Sequence, residues 1–272
     1  MKKSSILLRG IINIQSEALK WMDLSSSLLE FVPRPQDIFI VTYPRSGTTL
    51  MQMMLYQLST GGKIDFSHIN EVVPFFDRLL TYQIQSVQDL DNLPNPRIFK
   101  SHLSYQNVPK GPCRYIYIER NGKDVAVSYF HFHVSHLGFQ GTFDEFFDLF
   151  MKGRVMYGSW FRHIAEWQKH QDDPHVLYLK YEDLKKDLKT ALYQIIDFCQ
   201  LDVPQVHMPK IIRQCSFEFM KEHENKFDHI SGMVWEKGYQ KNAFIREGRI
   251  GSGTQLLTPA QIELFERTYS QI

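Results

Sequence analysis

The feature that most constrains this sequence is a continuous apolar run, Asp37 to Tyr43 (DIFIVTY), that ends at a proline. Such a run, without polar alternation, is typical of a strand buried on both faces of a parallel sheet. The polar loop 44–49 (PRSGTT) follows directly, and apolar residues at helical spacing then continue from Leu50 to Leu58. The order strand, short loop, helix predicts a βα unit.

The same alternation continues along the chain. Further strands are predicted at 97–103 (RIFKSHL), 114–118 (RYIYI) and 176–181 (VLYLKY), and a helical pattern runs over 188–199. No repeat or flexible linker interrupts the 272 residues, of which 43% are hydrophobic. We therefore expect an α/β fold with a central parallel β-sheet flanked by helices, and residues 1–272 as a single domain.

Both ends of the sequence carry helical signals. Residues 1–35 are predicted to form an N-terminal arm or amphipathic helix, which the segment Pro33-Arg34-Pro35 breaks. Residues 258–261 (TPAQ) have the form of a capping box with proline at the first helical position, which predicts a final helix.

Charge and cysteine content narrow the function classes. Lys plus Arg (31) and Asp plus Glu (30) nearly cancel, and the net charge of +1 argues against a general nucleic-acid or membrane-surface binder. Arg9 interrupts the first apolar stretch before a signal peptide forms, and the sequence has no run of about 18 apolar residues for a spanning helix. Cys113, Cys199 and Cys215 are odd in number and far apart, which suits a reducing compartment. We expect a cytoplasmic protein without nucleic-acid or membrane partners.

The loop after the first strand has the composition of a phosphate-binding loop. Unpaired N–H groups and the helix dipole attract an anion to a helix start. Arg45 adds a permanent cation, and the hydroxyl groups of Ser46, Thr48 and Thr49 add donors. The ATP-type pattern G-x-x-x-x-G-K-[ST] does not fit, because no glycine opens the loop and Thr48 stands where its lysine would follow Gly47. From the loop alone, an anion site and an ordinary turn with a good N-cap are equally open.

The segment TYPRSGTTL, at 42–50, resembles the TYPKSGTTW loop of the cytosolic sulfotransferases. In that family the loop binds the 5′-phosphosulfate of 3′-phosphoadenosine 5′-phosphosulfate (PAPS). The resemblance implies a P-loop-like strand–loop–helix in which Arg45 also acts in catalysis. It implies the following donor-binding residues here: Arg45, Ser46, Gly47, Thr48, Thr49 and Leu50.

Lys100 and His102 lie two residues apart in RIFKSHL, so on a strand they project from the same face. A histidine can take a proton from a hydroxyl group, and a lysine beside it can stabilise negative charge. On spacing alone, a structural role for His102 is the commoner outcome, since the chain has 11 histidines. The resemblance of FKSHL to the family's LKTHLP region implies that His102 is the catalytic base and that Lys100 contacts the sulfuryl group.

The segment 115–132 (YIYIERNGKDVAVSYFHF) has two interpretations. Asn121-Gly122 between apolar residues is a strong hairpin signal. The alternative is a strand, a loop and a helix capped by Asp124. The family's RNPKDVAVSYYHF segment favours the second, and it implies that Arg120 and Ser128 bind the 3′-phosphate, for which a guanidinium is well suited.

Other stretches extend the resemblance from about residue 38 to 265. GRVMYGSW (153–160) is similar to the family's GxxxYGSW. KYEDLKKDLKTAL (180–192) is similar to KYEDMKxDP, which implies that Tyr181 contacts adenine. The implied donor-binding residues further along the chain are Cys215, Ser216, Phe217, Arg246 and Gly248.

Several positions depart from the family pattern. Arg45 replaces a lysine, Leu50 replaces a tryptophan that stacks on adenine, and Cys215 replaces a threonine. Glu247 replaces a lysine at the 3′-phosphate, where Arg249 is a candidate to compensate. These changes predict altered donor contacts and not the loss of the site.

The family's C-terminal dimer motif is eroded, since Thr258 and Glu263 fit it but Thr254 and Pro259 do not. We therefore expect a monomer or a weak homodimer.

Phe75 and Phe132 match aromatic walls of the family's acceptor pocket, so we expect them to bind an apolar or aromatic hydroxyl acceptor such as a phenol, sterol or alcohol. Neighbouring phenylalanines are more often core than pocket. These lie at positions 76, 130, 139, 143, 146 and 147.

The function predicted from the sequence is metal-free transfer of a sulfuryl group from PAPS to a hydroxyl group. Cations and loop amides would neutralise the charge that magnesium neutralises in kinases. Two other classes are open: a nucleotide phosphotransferase, and a non-catalytic binder of adenosine 3′,5′-bisphosphate (PAP). Elimination of the sulfonated group after transfer is also open.

Overall fold

The computed structural model describes residues 31–78, 90–228, 243–251 and 253–272. Its strands are β1 (Ile38–Thr42), β2 (Ile98–Ser101), β3 (Arg114–Glu119) and β4 (Val176–Lys180). They form one parallel sheet in the order β2-β1-β3-β4. Each strand coincides with a predicted stretch to within two residues at either end, which confirms the strand predictions and the α/β class.

Helices connect and flank the strands. Their bounds are α1 (Thr48–Thr60), α2 (Ile69–Val72), α3 (Gly122–Leu137), α4 (Phe143–Met151), α5 (Trp160–Gln168), α6 (Tyr181–Lys186), α7 (Leu188–Cys199), α8 (Met208–Gln214), α9 (Phe217–Glu222), α10 (Gly253–Leu256) and α11 (Pro259–Tyr269). Short 3-10 helices occur at Phe76–Arg78, Gln205–His207 and Glu224–Lys226. The predicted capping box of the last helix is present, because the Thr258 hydroxyl accepts from the Gln261 amide and the Gln261 side chain accepts from Thr258 N.

The central strand β1 explains why its apolar run is continuous. Ile38 and Ile40 enter an aliphatic cluster on one face of the sheet, with residues of α1, α7 and α8. Phe39 and Val41 enter a second cluster on the other face, with residues of α3, α4, α5 and α11. Because helices cover both faces, all four side chains are buried, and β1 has no polar face.

Most of the chain's aromatic rings lie in the second cluster or pack against it. Phe146 and Phe147 are buried in it, and Phe130, Phe139 and Phe143 pack against it. The expectation that most of the phenylalanines near the acceptor candidates are core residues is therefore confirmed.

The segment after β3 is a loop and a helix, so the hairpin interpretation of Asn121-Gly122 is wrong. Asn121 caps α3, with its side chain accepting a hydrogen bond from the Lys123 amide. The prediction that Asp124 is the cap is also wrong. Its carboxylate accepts instead from the amides of Gly251 and Gly253, which ties the first turn of α3 to a distant loop.

The strands' carboxyl ends meet at one edge of the sheet, where α/β proteins bind ligands. In the described part of the chain, no helix is long and apolar enough to span a membrane. Most of the predicted N-terminal arm, residues 1–30, lies outside the described residues.

Candidate active site

The loop between β1 and α1 has the backbone of an anion cradle. Arg45 and Gly47 have positive φ angles of 70° and 98°. A Cβ on Gly47 would lie 2.7 Å from Cδ2 of Tyr181, so the ring occupies the space that a side chain at position 47 would need. Gly47 precedes α1 without any side-chain cap hydrogen bond, which argues against the ordinary turn with a good N-cap.

His102 follows β2 directly and is held at both its backbone and its ring. Its backbone N–H donates to the Asp77 carboxylate at 2.6 Å, and the Ser101 hydroxyl donates to the other oxygen of that carboxylate at 2.7 Å. Its ring Nδ1 lies 2.9 Å from the carbonyl oxygen of Thr42. Because a carbonyl only accepts, Nδ1 carries the proton and the lone pair of the neutral ring is on Nε2.

Two aromatic rings flank the His102 imidazole edge-on, with centroids 5.2 Å away for Phe75 and 4.9 Å away for Tyr157. The ammonium group of Lys100 lies 4.1 Å from the Phe75 ring centroid. Lys100 and His102 both line the same cavity, as their spacing on a strand predicted.

Arg120, directly after β3, is oriented by backbone carbonyls. Its Nη1 donates to the carbonyl of Arg45 at 2.8 Å and its Nη2 to that of Arg249 at 3.3 Å. The guanidinium also lies 4.5 Å from the ring centroid of Tyr181, the residue that follows β4. These contacts link the ends of β1, β3 and β4 around one cation.

The guanidinium of Arg45 points toward Ser128 on α3. Its Nε donates to the Ser128 hydroxyl at 3.2 Å, and its Nη2 donates to the carbonyl of Phe244 at 2.9 Å. The rings of Phe132 and Phe244 lie on it at 5.1 and 5.0 Å. Burial, and then repulsion from Arg120, lower the pKa of Arg45 to about 10, so it is still a cation at neutral pH.

The far end of the site is built from α9 and the segment 243–251. Ser216 caps α9 by accepting from the Phe219 amide, and Cys215 is buried beside it. The Phe217 ring packs against Gly248, whose φ is 58°, so closely that a Cβ there would lie 2.6 Å from the ring. Arg246 forms a salt bridge with Glu247 at 2.6 Å, which draws part of its charge away from a ligand.

These residues surround one cavity of about 400 Å³. It is lined by the predicted site residues Arg45, Gly47, Thr48, Thr49, Leu50, Phe75, Lys100, His102, Arg120, Ser128, Phe132, Tyr181, Cys215, Ser216, Phe217, Arg246 and Gly248. Ser46 is the exception, with its hydroxyl buried beneath the loop.

Some residues at the site had no signal in the motifs. Asp77 holds the His102 backbone from a segment 25 residues upstream. His136 and Asp228 form a buried pair at 2.9 Å, and the His136 ring stacks on Phe132 at 4.8 Å. A buried acid that contacts a backbone amide or a distant histidine looks like any other acid in the sequence.

Two buried polar atoms test whether the site fits a phosphorylated nucleotide. In the described part of the chain, the Ser46 hydroxyl oxygen and the Arg120 Nε have no hydrogen-bond partner. Buried polar groups of this kind cost about 1–3 kcal/mol when unsatisfied, so they call for a ligand or water. Arg120 lines the cavity, so a phosphate oxygen suits its Nε, whereas the Ser46 hydroxyl is buried and Ser46 does not line the cavity.

Comparison with known proteins agrees with this geometry. The sulfotransferase domain family model matches residues 35–271. Mouse sulfotransferase 1 family member D1 is 34% identical over 278 aligned residues, with 98% of this chain and 94% of that protein covered. Rabbit amine sulfotransferase is 34% identical over 260 residues, with 92% and 85% covered.

Solved structures show the same fold. Mouse sulfotransferase SULT7A1 complexed with PAP has a TM-score of 0.71 at 31% identity, with 91% of this chain and 87% of that chain covered. Retinol dehydratase in complex with androsterone and the inactive cofactor PAP has a TM-score of 0.73 at 22% identity, with 91% and 83% covered, and supports the fold alone. The chain therefore belongs to the sulfotransferase family, the PAPS-dependent enzymes whose motifs its sequence carries.

Proposed function

We propose that this sulfotransferase transfers the sulfuryl group of PAPS to the hydroxyl group of a small apolar or aromatic acceptor. The observation that carries the proposal is that one cavity is lined both by His102 and Lys100 and by Arg120 and Ser128. The first pair suits proton removal and charge stabilisation, and the second suits a phosphate.

His102 is the base in this proposal. With the proton of its neutral ring on Nδ1, Nε2 accepts the proton of the acceptor hydroxyl. The acceptor oxygen forms a bond to sulfur while the bond between sulfur and the 5′-phosphate oxygen breaks, and PAP leaves. Lys100 stabilises the negative charge that develops on the sulfuryl oxygens.

The donor nucleotide is held by the loop 45–50 and by the residues around Arg120. Loop amides at the start of α1 suit the 5′-phosphosulfate. The group Arg120, Ser128, Arg246 and Gly248 suits the 3′-phosphate, while Tyr181 and the segment 215–217 suit adenine. Arg45 bonds to Ser128, so we assign its charge to both phosphate regions and not to the leaving group alone.

The acceptor class follows from the walls beside His102. Phe75 and Tyr157 flank the His102 ring, and Phe132 and Met156 line the same cavity. Apolar walls around one reacting polar group favour a phenol, a sterol or an aliphatic alcohol over a charged acceptor. The same proposal includes a cytoplasmic protein that is a monomer or a weak homodimer.

Incubation of the protein with radiolabelled PAPS and a panel of phenols, sterols and alcohols tests the proposal. We expect transfer of label to at least one acceptor. In His102→Ala, the transfer rate should be about 10²- to 10⁴-fold lower while PAP binding is retained. His175→Ala, at an exposed position, is the matched control and should keep full activity. Absence of both label transfer and PAPS binding would refute the proposal, whereas full activity of His102→Ala would remove only the assignment of the base.

A further inference from the structure

Helix α6 directs a second side chain into the cavity beside Tyr181. Lys185 is four residues after Tyr181, and residues at this spacing share one face of a helix. Both line the cavity, and Lys185 is half-buried there. The next residue, Lys186, is exposed and does not line this cavity.

The neighbours of Lys185 belong to the donor end of the cavity. Its Nζ lies 5.4 Å from the ring centroid of Phe217 and 3.6 Å from the place that a Cβ on Gly248 would occupy. Burial lowers the pKa of Lys185. The Glu218 carboxylate opposes that shift, and repulsion from the positive charge of Arg120 adds to it. Lys185 therefore lies beside Phe217 and Gly248, and Gly248 is one of the residues assigned to the 3′-phosphate.

The charges at this end leave a role for another cation. Glu247 stands where the resembling sequences have a lysine, and it forms a salt bridge with Arg246. A phosphate placed here would face the Glu247 carboxylate and an arginine already engaged by it. Arg120 and the share of the Arg45 charge assigned to this region compensate a doubly charged phosphate monoester in part, and a further cation adds to that compensation.

We propose that Lys185 binds the 3′-phosphate of the donor nucleotide and supplies positive charge at a site where Glu247 stands in place of a lysine. This inference rests on the proposed function, because it assumes that a 3′-phosphorylated nucleotide binds in the cavity. It predicts a contribution to the recognition of the 3′-phosphate and none to the adenine or the 5′-phosphate.

The test compares two nucleotides that differ only in the 3′-phosphate, PAP and adenosine 5′-monophosphate. Dissociation constants are measured by calorimetry, with displacement of PAP for the weaker ligand. We expect Lys185→Gln to weaken PAP binding about tenfold and adenosine 5′-monophosphate binding less than twofold. Lys186→Gln removes the same charge from the same helix and should change both constants less than twofold. A thermal melt of each variant confirms that it is folded.

A second variant tests the link to Glu247. In Lys185→Gln combined with Glu247→Gln, Arg246 is released, and PAP binding should recover at least threefold relative to Lys185→Gln alone. Equal losses for both nucleotides in Lys185→Gln, or a loss no larger than that of Lys186→Gln, would overturn the assignment to the 3′-phosphate. If the unaltered protein bound no PAP, the proposed function itself would fail, so the two failures are distinct.

Discussion

Removal of the Asp77 carboxylate is expected to impair His102 as the base, although the His102 side chain itself is unchanged. Both oxygens of this fully buried group accept hydrogen bonds, one from His102 N and one from the Ser101 hydroxyl. In Asp77→Ala, the His102 N–H loses its acceptor in a place that water does not reach. In Asp77→Asn, the amide oxygen still accepts from His102 N, and the amide nitrogen donates to the Ser101 hydroxyl oxygen.

The magnitudes follow from the number of bonds lost. A hydrogen bond to a charged group contributes about 1.5–3 kcal/mol, so the loss of two destabilises Asp77→Ala by about 3–6 kcal/mol. Asp77→Asn should lose about 1 kcal/mol. A displacement of His102 by about 1 Å lowers kcat about 10²-fold in Asp77→Ala, since proton transfer depends steeply on geometry. PAP affinity should stay within about twofold, because Asp77 contacts Ser101 and His102 and is not among the residues assigned to the donor nucleotide.

The assay combines steady-state kinetics, PAP calorimetry and urea denaturation. Asp37→Ala is the control, because Asp37 is also a fully buried carboxylate but pairs with Arg97 at the opposite end of β1. Its loss should cost about 3–5 kcal/mol of stability and leave kcat unchanged. If Asp77→Ala kept the kcat of the unaltered enzyme, or if Asp37→Ala lowered kcat equally, the positioning role of Asp77 would be refuted.

Three further expectations concern the loop, the pH dependence and the acceptor wall. Gly47→Ala puts a Cβ 2.7 Å from an aromatic ring at a φ of 98°, so PAP binding should weaken at least tenfold by calorimetry; retained affinity would contradict the cradle. Burial lowers the pKa of His133 and of His163 to about 4 from 6.5, so the unfolded chain binds protons first as the pH falls. The free energy of unfolding should then fall between pH 6.5 and 4 by up to about 1.4 kcal/mol per pH unit for each histidine, and a flat urea profile would refute this. Asp228→Asn weakens the contact that orients His136, so the KM for the acceptor should rise about fivefold with the KM for PAPS unchanged; equal changes in both would point to general destabilisation.

The strands and the βα order were predictable because they depend on local pattern. An apolar run such as 38–42 is long enough to show burial on both faces, and the helix over 188–199 shows a clear period. The turn at Asn121-Gly122 was not predictable from its own residues, since the same dipeptide suits a hairpin and a helix start. The Asp124 carboxylate stabilises the helix start by accepting hydrogen bonds from the amides of Gly251 and Gly253. These contacts span more than 120 residues, so no local sequence pattern indicates them.

The grouping of the site residues was predictable in part, and for one physical reason. The loop at 43–47, His102, Arg120 and Tyr181 each follow the carboxyl end of one of four parallel strands, and these ends share an edge. The direction of the Arg45 side chain was not predictable, because it depends on the Phe244 carbonyl and on two rings that come from elsewhere in the chain.

A net charge of +1 is compatible with an anion site, because, among the described residues, backbone carbonyls and not carboxylates orient two of the arginines in the cavity. Arg97 is cancelled by the Asp37 carboxylate, whereas Arg45 and Arg120 are oriented by backbone carbonyls. A carbonyl dipole fixes a guanidinium but leaves its unit charge in place, so the positive potential in the cavity persists while the surface charges balance. Of the arginines that line the cavity, Arg246 is the one with a salt bridge to a described carboxylate, that of Glu247. Anion affinity should therefore depend on these few residues and not on the overall balance, which is why a balanced composition argues against a general polyanion binder but leaves a nucleotide site open.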